Sequence, residues 1–271
     1  MASTSNRVVV YLQTQQNLDL LPKCYDNLTA INVSSFHVGF TGKTPYVHLN
    51  DNDPGDPMFD SLWADMSAAQ SNGVLMIAML GGAGGAYTSL FQSYDVLYPL
   101  FVAMLKKYKF NGVDLDVEEY VSQSDIEKLI ADLRKDFPKD FYITAAPVAS
   151  ALISGSDPLS GIDWFSVKDE IDWFNVQFYS GYGSLSTPAD YVSIVNNGYA
   201  PSQILGGSLT NPSNGYGYVS ISTVVSTLES LNSTYSGKIG GAMGWEYYNS
   251  NDISENVDPP GWCSAMHGAV N

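Results

Sequence analysis

A closed (β/α)8 barrel, one α/β domain running over residues 1–271, is the architecture these residues predict. Three observations point to it. The chain has 271 residues, enough for one large α/β barrel. Eight short β-branched or aliphatic runs mostly alternate with helical patterns, and eight is the number of parallel strands that closes a barrel. No linker, composition shift or low-complexity segment divides the chain. An open doubly wound sheet is the competing architecture for the same alternation.

The first strand is the Val-Val-Val-Tyr run at 8–11, and residues 31–40 hold the second. An acidic, proline-bearing loop follows at 50–57, then a helix over about 58–71. Residues 74–80 are continuously apolar, as in a strand covered on both faces, and form the third strand. Glycines at 81, 82, 84 and 85 end it. They do not make a dinucleotide fingerprint, because Tyr87 stands where the last glycine is required. No Gly-Lys-Ser/Thr follows, which excludes a phosphate-binding P-loop. A crowded strand end, where side chains would block a cleft, is the better reading. A helix over about 94–108 leads to the fourth strand, near 112–118. Ile126, Leu129, Ile130 and Leu133 then repeat at helical spacing. Strands five to eight are read at 142–147, 173–179, 204–209 and 240–245, with helical patterns near 188–197, 223–231 and 262–269.

The fourth strand carries the most information. Asp114, Asp116 and Glu118 alternate with Val113, Leu115 and Val117, so the acids share one face of a strand and the aliphatics the other. Neighbouring carboxylates repel, and burying them favours the protonated form, which raises at least one pKa. A carboxylic acid that keeps its proton near neutral pH is a general acid. A solvated strand at a sheet edge, or an acidic cation site, is the bland alternative. Against it, the strand is entered through Phe110 and Gly112 and followed directly by a helix, as in a buried βα unit. Acids on the inner face near the C-terminal end of a barrel strand lie where barrel enzymes keep their chemistry.

Net charge is −16, with 28 acidic and 12 basic residues. That balance disfavours nucleic acid and anionic membrane surfaces and suits a neutral substrate such as a sugar. Eighteen tyrosines agree with a carbohydrate cleft, although core packing also uses them. His37, His48 and His267 lack metal-ligand spacing, so no metal or cofactor is expected. No apolar run is long enough to span a bilayer, and the first seven residues have no signal-peptide core. The protein is expected to be cytoplasmic, or secreted with its leader removed, and monomeric. Three sequons, at Asn27, Asn32 and Asn232, would permit glycosylation after secretion. Cys24 and Cys263 would pair if the chain ends meet, or stay as two free thiols.

The chain resembles glycoside hydrolase family 18, the chitinases and endo-β-N-acetylglucosaminidases. Residues 111–118, Asn-Gly-Val-Asp-Leu-Asp-Val-Glu, are similar to the D-G-x-D-x-D-x-E signature that ends the family's fourth barrel strand, with Asn111 in place of the usual Asp. Leu80-Gly81-Gly82 resembles its third-strand glycine motif, and Asn175-Val176-Gln177-Phe178-Tyr179 its sixth-strand motif. Met243-Gly244-Trp245-Glu246-Tyr247 resembles its eighth-strand tryptophan segment. Val117 and Gln177-Phe178-Tyr179-Ser180 depart from the residues common in chitinases. The pattern with Leu62-Trp63-Ala64-Asp65 and with Glu119 after Glu118 resembles the fungal endo-β-N-acetylglucosaminidases that trim N-glycans.

The resemblance implies a retaining, substrate-assisted mechanism on the GlcNAcβ1-4GlcNAc core, with high-mannose N-glycans or glycoproteins as partners. It implies Glu118 as general acid and Asp116 as the residue that orients the substrate's acetamido group. Tyr179 would donate to that group, and Asp114 would share a proton with Asp116. Trp245 is implied as a hydrophobic floor and Gln177 as a hydrogen-bonding wall. Gly81, Gly82, Asn175 and Glu246 complete the substrate-binding candidates. Glu119 and Glu246 should point away from the acidic face if their strands continue. A chitinase, or an inactive lectin or inhibitor on the same fold, are the other readings.

Overall fold

The computed structural model describes residues 6–250 and 257–271; the first five residues, part of the stretch read for a leader, lie outside the described residues. Nine strands appear in chain order. They are β1 (Arg7–Leu12), β2 (Ala30–Thr41), β3 (Thr44–Leu49), β4 (Leu75–Gly81) and β5 (Gly112–Asp116), then β6 (Tyr142–Ala145), β7 (Trp173–Gln177), β8 (Ile204–Leu209) and β9 (Gly241–Trp245). All but β3 pair in parallel, and the sheet closes because β1 bonds to both β2 and β9. The result is an eight-stranded (β/α)8 barrel in which β5 is the fourth barrel strand. Helices α1 (Asp60–Ser71), α2 (Ala86–Gln92), α3 (Tyr94–Lys107) and α4 (Gln123–Asp136) follow the earlier strands. Helices α5 (Ala149–Ser154), α6 (Ala189–Asn196), α7 (Ile221–Thr234) and α8 (Pro259–Val270) follow the later ones.

The pleat sorts each strand into two cores. Val8, Val10, Ala78, Leu80, Val113 and Leu115 face outward and join the cluster packed under the helices. Val9, Tyr11, Ile77, Met79, Trp173, Leu205 and Met243 face inward and fill the barrel. On β5 the inward positions are Asp114 and Asp116. The aliphatic face of the acidic strand therefore meets helices, while the acids enter the barrel interior.

Three features differ from the sequence reading. Residues 44–49 form β3, an antiparallel partner of β2 at the edge of the sheet. Pro45 argues against a strand in sequence, but an edge strand needs no donor on its outer side. The glycine-rich exit of β4 continues into the short helix α2, which its composition does not announce. Between β1 and β2, where the sequence reading placed no element, the chain makes 3-10 turns at Leu18–Lys23 and Tyr25–Asn27. Helix α8 packs on the first of these turns. Cys24 and Cys263 are both buried free thiols, and their mutual influence lowers the Cys24 pKa and raises that of Cys263.

Candidate active site

The inner ends of β4, β5, β7 and β9 converge on a cavity of about 310 Å³ at the C-terminal mouth of the barrel. Asp116, Glu118, Gln177, Tyr179, Trp245, Gly81 and Gly82 line it. Asp114 lies one layer deeper and is fully buried. Its Oδ2 accepts from the Tyr11 hydroxyl at 2.6 Å; its Oδ1 accepts from Asn175 Nδ2 at 2.9 Å and from the Thr144 hydroxyl. Burial raises the Asp114 pKa, and these donors oppose the rise.

Asp116 has fewer partners. Its Oδ1 accepts from Gln177 Nε2 at 3.1 Å, and the same nitrogen approaches Glu118 Oε1 at 3.4 Å and the Ala146 carbonyl at 2.8 Å. One amide thus bridges two carboxylates to the barrel wall. Burial first, then Glu118 and Asp114, push the Asp116 pKa well up. Glu118 is half-buried, and its pKa is also raised, chiefly by burial. Burial lowers the pKa of His37, the one basic residue in the lining, and no lysine or arginine lines the cavity, so the clustered acids hold protons above the ordinary carboxylate range. The charge of Asp114 also raises the Asp116 pKa from the layer beneath.

The glycines have a steric reason. Gly81 has φ +103°, and a Cβ there would stand 2.2 Å from the Asp116 carbonyl oxygen. That contact lets Gly82 N donate to the same oxygen at 2.8 Å, which locks the exits of β4 and β5 together. Tyr179 is buried with its hydroxyl unbonded among the described residues, beside the acids that raise its pKa after burial does. The Trp245 ring sits 5.5 Å from that of Tyr11 and is half-buried at the cavity floor.

The sequence profile of glycosyl hydrolases family 18 matches residues 7–215. The chain belongs to that family. A fungal family 18 endo-β-N-acetylglucosaminidase structure is 37% identical over 98% of each chain, with a TM-score of 0.87. The chitinase ChiC from Aspergillus fumigatus is 35% identical, over 98% of this chain and 100% of that one, with a TM-score of 0.85. Endochitinase 4 of Metarhizium anisopliae is 27% identical over 139 residues, 44% of this chain and 49% of that protein. The chain spans about half or less of the length of the curated relatives it matches.

Within this family 18 barrel, Asn175 and Glu246, like Asp114, lie outside the cavity lining. Asn175 is fully buried between Asp114 and the Trp173 indole, so it orders the acidic layer from beneath. Glu246 turns away from the cavity. Its carboxylate accepts from Gln13 N, Thr14 N and the Thr14 hydroxyl, pinning the segment that leaves β1. Glu246 follows the last residue of β9, and these bonds to the exit of β1 hold it outside the lining. Glu119 likewise points outward and caps α2 through Tyr87 N and Thr88 N at 2.7 and 3.1 Å. Asn111 braces Gln70 and Met76 N, away from the acids.

The lining also includes Tyr11, Gln13, His37, Met79 and Asn214, which the sequence reading did not single out. Alternation on the first strand would have found Tyr11, two residues from inward-facing Val9. Gln13 continues the same alternation just past β1, His37 lies within β2, and Asn214 comes from the turn after β8, where no periodicity marks it.

Proposed function

We propose that this family 18 chain is an endo-β-N-acetylglucosaminidase that hydrolyses the GlcNAcβ1-4GlcNAc core of N-glycans, of the high-mannose type, with retention. The observation that carries the reading is the proton-holding acidic layer of Asp114, Asp116 and Glu118 at the barrel mouth. The likeness to a fungal endo-β-N-acetylglucosaminidase over nearly all of both chains supports the substrate class.

In this reading Glu118, protonated by burial and neighbouring charge, gives its proton to the glycosidic oxygen. The substrate's own acetamido oxygen attacks C1 and closes an oxazolinium ring. The positive charge that forms beside Asp116 stabilises that carboxylate in its ionised form, which burial and the neighbouring acids otherwise oppose. Tyr179, its hydroxyl free, donates to the acetamido oxygen. Trp245 supplies an apolar face under the reacting sugar, and Gln177 keeps Asp116 and Glu118 in register. Glu118 then deprotonates the water that opens the ring.

Chitin is the second reading, favoured by the similarity to ChiC and by the curated relatives, which are named chitinases. The test is to incubate the protein with a high-mannose glycoprotein and, separately, with chitin oligomers. Release of the glycan supports the first reading; shortening of the oligomers alone supports the second.

A further inference from the structure

Tyr216 lies in the loop between β8 and α7 and is 79% exposed. A lone aromatic on a surface is ordinary. This one is fixed at the rim of the cavity by its own backbone. The Tyr216 carbonyl accepts from Ser180 N at 2.8 Å. Gly217, at φ +90°, packs against the segment after β7. A Cβ there would stand 3.0 Å from Ser180 N and 3.3 Å from Tyr179 Cα, so no side chain fits. On the other side of Tyr216, Asn214 Nδ2 donates to the Trp245 carbonyl at 2.8 Å. The loop is therefore tied to both segments that carry Tyr179 and Trp245, and Ser180 and Asn214, at its two anchor points, line the cavity. One edge of the Tyr216 ring lies over the turn after Tyr179, with Cε1 3.9 Å from the place of a Cβ on Gly181.

We propose that Tyr216 is a substrate-binding residue: a fixed aromatic platform for a neutral sugar of the glycan chain, next to the GlcNAc that the reading above seats on Trp245. The inference rests on that reading, in that the cavity takes a GlcNAc-containing chain. A tyrosine ring offers an apolar face to sugar C–H groups and a hydroxyl at its edge. Because the anchors are backbone groups, the ring is placed without being covered, and only its two side-chain torsions are lost when a ligand stacks on it. The surroundings select for a neutral partner. Residues 177–183 and 209–218 hold no charged side chain, although the chain has 28 acids and 12 bases. An ionic ligand finds no counter-charge on these segments, whereas the amides and hydroxyls of Ser180, Ser213, Asn214 and Asn249 offer the donors and acceptors that a polyhydroxylated chain uses.

The test compares Tyr216→Ala and Tyr216→Phe with the wild type, using a free high-mannose glycan and a chitin tetramer as probes. Binding is measured by calorimetry in the Glu118→Gln background, and KM and kcat in the active enzyme. Tyr216→Ala removes only an exposed ring and keeps the backbone bonds, so its melting temperature should match the wild type. It should weaken binding and raise KM about 3- to 10-fold, with kcat within about twofold. Tyr216→Phe keeps the ring face and should bind as the wild type does. Unchanged affinity of Tyr216→Ala for both probes overturns the inference. So does a fall in kcat at unchanged affinity, which would mean that the loop acts through Tyr179. Equal losses in the alanine and phenylalanine variants also overturn it, because the hydroxyl and not the ring face would then carry the contact. The two levels separate. A wild type that binds a probe but cuts neither removes the hydrolase reading, and the affinity ratio still decides Tyr216. A wild type that neither binds nor cuts either probe removes both.

Discussion

Replacing Glu118 by Gln removes a proton donor without changing shape. The side chain is half-buried and its Oε1 meets Gln177 Nε2 at 3.4 Å, a contact the amide oxygen of glutamine can accept. The substitution also removes a carboxylate whose charge raises Asp116, so folding should not suffer. General acid catalysis contributes ~10²–10⁴-fold. At about 1.36 kcal/mol per tenfold, that is about 2.7–5.4 kcal/mol of barrier. Turnover of a natural glycan should therefore fall at least 100-fold. Release of oligosaccharide from a high-mannose glycoprotein, followed by chromatography, measures the loss. Calorimetric binding of the intact glycan and an undiminished melting temperature show that the site survives. A folded variant that keeps near wild-type turnover would refute the reasoning, because no other acid in the lining is placed to take the role.

Asp116→Asn should use a preformed glycan oxazoline as donor to a GlcNAc acceptor while hydrolysing the product poorly, since an amide can orient the acetamido group but not offset its charge; a trapped covalent glycosyl-enzyme would disprove this. The same variant should melt higher than wild type at about pH 8, with the gap closing at about pH 4. The raised acids make the folded state take up protons, so their penalty is absent below the ordinary carboxylate range and grows as pH rises through the raised values. The wild-type enzyme should have a mildly acidic optimum and lose kcat/KM as pH rises through the raised Glu118 value; activity still climbing above about pH 9 contradicts the assignment. Gly81→Ala should cost about 1–3 kcal/mol in denaturant unfolding, because its Cβ would meet the Asp116 carbonyl oxygen at 2.2 Å; an unchanged midpoint would show that the β4 exit is not locked as described.

Residue type and period alone made the barrel and its acidic layer legible. Asp114, Asp116 and Glu118 alternate with aliphatics, and a strand has a period of two. Their common face therefore follows from spacing, and a strand leading into α4 must be covered on its other face. Glu119 and Glu246 lie beyond the ends of β5 and β9, and backbone N–H groups of α2 and of the segment after β1 hold them away from the cavity. What only the tertiary structure decided is which groups surround those acids. Tyr11 lies 103 residues from Asp114, Gln177 lies 61 from Asp116, and Glu246 lies 232 from Thr14. Such contacts depend on barrel closure and strand register, which no local pattern encodes. Electrostatic effects depend on burial and separation in space, so pKa direction and the division of labour among the carboxylates emerge only when the chain has closed on itself.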